Sequence, residues 1–324
     1  MQTTAKMIST TENKKISLII PCFNEGQGLK NFHEAASKTM EKIDVTCEFI
    51  YVDDGSSDNT PVVLERLEAI DPRVLFLQLS RNFGKEAALT AGIDHAMGDA
   101  VIPIDADLQD PPELIVQMVE AWQSGADVVM AKRSSRSGDT LSKKFFSGAY
   151  YWLHKKLTNI EIPSNVGDFR LLDREVVDSV KRLHEKNRYM KGLFSWVGYK
   201  TVYIDFDRKT RSSGKSSYNF RRLMGLGLNG IFSFSAVPLK VWLRFGLAGI
   251  LLSSIYIVIV VYKVLTQGID VPGYASLLVA IFFMGSLQLV GLGVLGEYVG
   301  RIYEETKNRP IYIVKNKKKT RDGT

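Results

Sequence analysis

Two apolar spans near the C-terminus, residues 245–262 and 275–296, leave the chain little choice of structure. Each approaches the roughly 20 residues that a helix needs to cross a hydrocarbon core, where a backbone must satisfy its own hydrogen bonds. A helical pair across a bilayer is the expectation. The link between them, 264–274, holds no Lys or Arg, whereas Lys240 and Arg244 precede the pair and Arg301, Lys307 and Arg309 follow it. The positive-inside rule then puts both ends in the cytosol and the short link outside. Gly285, Gly291, Gly293, Gly296 and Gly300 would allow close helix approach, within one chain or between copies.

The net charge of +7 points the same way. Much of the excess sits at 208–222 and 315–321, beside the apolar spans, where basic segments meet anionic headgroups, so a lipid surface is the expected partner and nucleic acid is not. Residues 218–238 mix Arg221 and Arg222 with Leu, Ile and Phe, which suits helices lying in the interface. Residues 1–15 are polar and resemble no signal peptide, so the first part of the chain is expected to stay in the cytosol. Cys22 and Cys47 suggest no disulfide framework, and the four histidines are too scattered for a zinc site.

Up to about residue 230 the pattern is different. Apolar runs at 15–20, 49–52, 74–79, 100–104 and 128–130 alternate with helix-like stretches at 28–42, 60–70, 85–97 and 112–124. This alternation predicts βαβ units and a mostly parallel sheet, with ligands beyond the carboxyl ends of the strands. The polar motifs fall at those ends. The fourth run delivers Asp105-Ala106-Asp107, and two acids one residue apart suit Mg²⁺ or Mn²⁺, which fills its other positions with water and phosphate oxygens. After the second run come Asp53 and Asp54, adjacent acids that need hydrogen-bond donors such as ribose hydroxyls or a base N–H; Asp58 or Asn59 would cap the following helix. No Gly-x-Gly-x-x-Gly string follows any of these apolar runs, and no P-loop string is present.

Four strings carry a resemblance: Arg81-Asn82-Phe83-Gly84-Lys85-Glu86, the run Asp105 to Pro111, Gly167-Asp168-Phe169-Arg170-Leu171, and Leu295-Gly296-Glu297-Tyr298-Val299-Gly300-Arg301-Ile302-Tyr303. With them the chain resembles the family 2 glycosyltransferases along its whole length, nearest to the polyprenyl-phosphate group and its bactoprenol glucosyltransferase branch. The resemblance implies a GT-A nucleotide-binding α/β sandwich at 1–217, interfacial helices at 218–240, a two-helix transmembrane domain at 241–300 and a basic cytosolic tail at 301–324. It implies that Pro21, Phe23, Glu25, Val52 and Asp54 hold the nucleoside, that Asp105, Asp107 and Gln109 surround the metal and diphosphate, and that Asp168 is the acid near the acceptor.

The implied reaction moves glucose from UDP-glucose to undecaprenyl phosphate with inversion, at the bacterial inner membrane, for O-antigen or envelope glycans. A phosphate monoester has a second pKa near 6, so Asp168 is read as a positioner or electrostatic partner more than as a base. Holding the acceptor phosphate calls for cations, and Arg133, Lys143 with Ser147, and Arg211 and Lys215 in the loop 210–216 are the candidates. A homo-oligomer is expected, with a flippase and a second glycosyltransferase in the same pathway. UDP-GlcNAc, a modified arabinose or GDP-mannose stay open as donors, as does an inert nucleotide-sugar-binding scaffold. A processive synthase is disfavoured, since there is no Gln-x-x-Arg-Trp string.

Overall fold

The computed structural model describes residues 14–133, 166–186, 188–206, 237–267 and 273–316. The chain divides into two units, one made of 1–151, 160–218 and 310–324 and the other of 152–159 and 219–309.

The first unit is an α/β layer structure around one sheet. Its elements in order are β1 (Lys15–Cys22), α1 (Leu29–Met40), β2 (Thr46–Asp53), α2 (Thr60–Ile70), β3 (Val74–Leu79), α3 (Lys85–His95), β4 (Ala100–Pro103), α4 (Leu114–Gln123), β5 (Val128–Arg133), β6 (Val166–Asp173), α5 (Arg174–Lys181), α6 (Met190–Trp196) and β7 (Thr201–Phe206). After the second unit the chain returns to add β8 (Val314–Asn316). The sheet order is β7-β5-β6-β4-β1-β2-β3-β8. β4, β1, β2 and β3 run parallel, as does the pair β5 and β7, while β6 and β8 run against their neighbours. The mostly parallel sheet expected from the alternation is therefore present, with two reversed strands added.

The central strands are covered on both faces, which is why they read as unbroken apolar runs. Ile16, Leu18, Ile19 and Ile20 of β1 and Phe49, Ile50, Tyr51 and Val52 of β2 are fully buried. Helix α1 turns Leu29, Phe32, His33, Ala36 and Met40 inward, a stripe at helical spacing. His33 belongs to this core, with one ring nitrogen 3.0 Å from the Tyr51 hydroxyl and the other 3.2 Å from Asp71. Asp173 makes the abrupt turn from β6 into α5: one carboxylate oxygen accepts the Glu175 amide at 2.9 Å and the other accepts Trp122 Nε1 at 2.7 Å.

Reversed strand β6 matters most for placing the site. Its register with β4 pairs Ala100 with Asp173 and Val101 with Leu172. Carried past the end of β4, the same register sets Asp105 opposite Asp168. An antiparallel strand begins where its parallel neighbours end, so one edge of the sheet collects the loops after β1, β2, β3 and β4 together with the start of β6.

The second unit contains two long helices, α7 (Val237–Gln267) of 31 residues and α8 (Tyr274–Thr306) of 33. Both exceed the apolar spans from which they were predicted, and α7 begins inside the stretch expected to lie in the interface; the remainder of that stretch, up to 236, is outside the described residues. At the usual rise the two are about 45 and 50 Å long. Among the described residues one stretch, Ala280–Thr306, is long and apolar enough to cross a membrane. Leu252, Tyr256, Val258 and Leu265 of α7 and Phe282, Phe283, Leu289 and Val290 of α8 are all more than half exposed. So many large apolar side chains in the open require an apolar surrounding. The helices touch at Gly291, where a Cβ would fall 1.8 Å from Trp242 Nε1; a Cβ at Gly285, Gly293, Gly296 or Gly300 would meet no other described part of the chain within 4 Å.

Candidate active site

The loops after β1 and β2 are joined to one another by hydrogen bonds. The Asn24 amide donates to Ser56 Oγ at 2.9 Å, the Ser57 amide to Asn24 Oδ1 at 2.9 Å, and the Glu25 amide to Thr60 Oγ1 at 3.0 Å. Asn24 takes φ 57, a left-handed conformation that Asn tolerates better than most residues. Asn59 occupies the cap position of α2 without a side-chain capping bond. Asp58 instead accepts the Thr60 amide at 3.0 Å and the Gly26 amide at 3.3 Å. The expected cap is thus partly a clasp between two loops.

Asp53 and Asp54 find their donors within the chain, which answers the need that pointed to a nucleoside. Buried Asp53 accepts the Ser56 amide at 3.0 Å and Gln78 Nε2 at 3.4 Å. Asp54, only 3% exposed, accepts the Phe83 amide on one oxygen at 2.7 Å and the Gly84 amide on the other at 2.9 Å. Both Asp54 oxygens therefore hold the loop that leads into α3. Val52 is wholly enclosed, paired on both sides by β1 and β3, and its side chain packs the core. Pro21 and Glu25 are part-exposed at the sheet edge, and Phe23 is 47% exposed there.

Lys85, the first residue of α3, is where that loop delivers its charge. Its Nζ lies 2.7 and 2.8 Å from the two oxygens of Asp105 and 2.8 Å from Asp168 Oδ2. Lys191, on α6, is 3.9 Å from Asp168 Oδ1. Asp105 and Asp168, expected on the donor and acceptor sides respectively, are thus bridged by one ammonium. Burial works against the Asp168 carboxylate, but Lys85, then Lys191, more than reverse this and hold its pKa well below the usual carboxylate range. Burial likewise opposes the Lys85 charge, and Asp168 and Asp105 overcome it, pushing its pKa up. Asp168 pairs with these lysines rather than with Arg170, which is buried against Phe194, 4.7 Å from its ring, and donates to the Gly167 carbonyl at 2.8 Å.

The loop after β4 is held in an unusual shape. Asp107 Oδ1 accepts the Gln109 amide at 3.0 Å, and Leu108 between them has φ 57, rare for a branched side chain. Gln109 is buried, and its Nε2 has no hydrogen-bond partner among the described residues. A buried donor without an acceptor costs on the order of 1–3 kcal/mol, so an acceptor from outside is expected here. The side chain of Arg133 and the residues Lys143, Ser147, Arg211 and Lys215 lie outside the described residues.

Glu86, next to Lys85, is a second ionisable group that was not anticipated. Its Oε2 accepts the Met190 amide at 3.1 Å. Burial, with Asp168 adding to it, pushes its pKa up to about 7. An unfolded Glu titrates near 4.3, so the folded chain keeps a proton that the unfolded chain has lost, and stability drains away as pH rises through that window. Glu86→Gln is expected to melt about 2–5 °C above the wild type at pH 8 in detergent, with the gap shrinking as pH is lowered toward 5. A gap of equal size at both pH values would show that Glu86 is ionised throughout.

A carboxylate pair at a parallel-strand end thus faces a third acid across an ammonium. Residues 17–181 match the family described as glycosyl transferase family 2. The chain belongs to this family and is a glycosyltransferase. It is 48% identical to the bactoprenol glucosyl transferase of Shigella phage SfV over 304 residues, covering 94% of this chain and 99% of that one. An uncharacterized glycosyltransferase of Synechocystis sp. is 49% identical over 93% of this chain and 94% of its own length. Among solved structures, the glucosyl-3-phosphoglycerate synthase of Mycobacterium tuberculosis, in complex with Mn²⁺, UDP-glucose and phosphoglyceric acid, is 19% identical with a TM-score of 0.46, covering 68% of this chain and 78% of that one.

Proposed function

We propose that this chain transfers glucose from UDP-glucose to undecaprenyl phosphate at a membrane surface, inverting the anomeric carbon. The observation that carries the reading is the end-to-end likeness to bactoprenol glucosyl transferases, which extends through the apolar helices as well as the α/β unit. Acceptor class and sugar both rest on it.

The donor set fits a divalent ion. Asp105 and Asp107 are part-exposed carboxylates presented one residue apart at a strand end, few enough to leave room for phosphate oxygens. Such an ion, when bound, would offset the charge that grows on the departing diphosphate. Gln109 supplies the orphaned Nε2 donor, which suits a diphosphate oxygen better than a metal. Asp168, kept ionised by its lysines, faces the positive charge that develops at the anomeric carbon. The attacking phosphate oxygen is already largely deprotonated near neutral pH, so it needs no base. Lys191 gives the acceptor phosphate a cation beside Asp168, and Arg133, Lys143, Ser147, Arg211 and Lys215 are proposed to complete its binding.

Membrane topology follows from chain connectivity. β8 belongs to the same sheet as β1, so the chain must end on the side of the membrane where it began. With α8 as one crossing, the return of β8 to the sheet supports α7 as its partner crossing. The basic flanks support both ends in the cytosol, as a multi-pass protein of the cytoplasmic membrane would have them. A flippase and a second glycosyltransferase would then take the lipid-linked sugar onward.

Transfer of labelled sugar from UDP-glucose into an organic-extractable lipid tests this. The assay uses purified full-length protein in detergent, undecaprenyl phosphate and Mg²⁺ or Mn²⁺. Label that disappears with EDTA and falls at least about 100-fold in Asp107→Ala is the expected result. Label from another nucleotide sugar alone would replace glucose as donor, and no transfer from any donor would sink the reading.

A further inference from the structure

The chain devotes unusual resources to the position of one ammonium group. A lysine on the first turn of a helix sits at the positive end of the helix dipole, where it is disfavoured. Lys85 is nonetheless fixed there from several directions. Asp54 uses both carboxylate oxygens on the Phe83 and Gly84 amides that precede it. Gly55 closes the same loop from below, since a Cβ there would fall 2.5 Å from the backbone of Arg81 and 2.6 Å from that of Asn82. Beyond the loop, the ammonium contacts both oxygens of Asp105 and one of Asp168.

Asp105 therefore has both oxygens turned toward a fixed positive charge. A divalent ion approaching the acids by itself meets repulsion from that charge and competition for that carboxylate. When a diphosphate arrives with the ion, its oxygens give the ammonium a second set of acceptors and cancel the local excess of positive charge. We propose, resting on the nucleotide-sugar reading above, that Lys85 is a positioning residue that makes divalent-ion binding conditional on the donor diphosphate. Metal then enters the site with nucleotide, not ahead of it. With the diphosphate in place, the Lys85 ammonium shares its contacts with the diphosphate oxygens, and Asp168 keeps Lys191 as a second cationic neighbour.

Mn²⁺ binding measured by electron paramagnetic resonance, on the full-length protein in detergent with and without UDP, reads this directly and without turnover. A unit charge a few ångströms from a divalent ion, screened as at a part-exposed site, changes affinity by about tenfold. Wild type is expected to bind Mn²⁺ at least about tenfold more tightly with UDP than without. Lys85→Met is expected to bind Mn²⁺ about tenfold more tightly than wild type in the absence of UDP and to lose most of the UDP effect, while Lys85→Arg keeps it. Wild-type Mn²⁺ affinity that ignores UDP overturns the proposal, whatever the stability of the variants. So does Lys85→Met that still binds UDP yet holds Mn²⁺ no better than wild type without it. Absence of Mn²⁺ binding in wild type even with UDP would instead sink the metal-dependent reading of the site itself.

Discussion

Asp168→Asn is expected to lower the rate of sugar transfer by about 10²–10⁴ with little change in affinity for the nucleotide sugar. The carboxylate sits at the start of β6, with Lys85 on one oxygen and Lys191 near the other. Both cations hold it ionised far below neutrality, which makes it a poor proton acceptor and a good permanent negative charge. The pH–rate profile separates these roles. If Asp168 stabilises charge, the acidic limb belongs to the second ionisation of the acceptor phosphate, near 6, and the Asn variant lowers the plateau without moving the limb. A limb that vanishes in Asp168→Asn would mean that Asp168 takes a proton after all.

Gly55→Ala should act at a distance. Gly55 has φ 69, a conformation that costs an L-residue roughly 1–2 kcal/mol. Its new methyl would lie 2.5 Å from the carbonyl carbon of Arg81, a backbone atom that cannot swing away as a side chain does. Relief requires the 81–84 loop to move off Asp54, which breaks the hydrogen bonds at 2.7 and 2.9 Å and withdraws Lys85 from its two acids. A loss of about 2–4 kcal/mol is expected, seen as a fall in melting temperature of about 5 °C or more, together with a drop in transfer. Undiminished stability would show that the loop yields without cost.

Much of the sheet could be read along the chain because its signals are local. Helix α2 and strand β3 match the predicted 60–70 and 74–79, since turn residues bound each and their periodicities differ. What escaped depends on partners far away in sequence. β6 carries the Gly167-to-Leu171 motif and was valued for its acid; nothing in eight residues reveals that they run antiparallel between β4 and β5. The three residues of β8 are strand only because β3 offers them an edge. In the site, Asp105 and Asp107 are legible as acids at a strand end, whereas Asp168 comes only from the family resemblance. The donors of Asp54 are hidden from a local reading because the amides that satisfy it lie 29 and 30 residues on. Lys85 stood inside a recognised string without a role, though a cation at a helix start was a signal that it is held there by something stronger than the dipole.

The late return of β8 also bears on how the enzyme is made. Ribosomes finish β1 to β7 long before Val314–Asn316, and between them comes the whole helical pair. Until that pair has been made and the tail released, β3 is an open strand edge, the kind that invites pairing with other chains. The Ser80 amide is donated to the Ile313 carbonyl at 2.8 Å, and Tyr312 donates to Asp94 at 2.9 Å, so the returning segment is latched on both sides of the strand edge. Completion of the sheet thus waits on everything that the helical pair must do first, and a chain stalled within that pair never acquires a finished catalytic sheet.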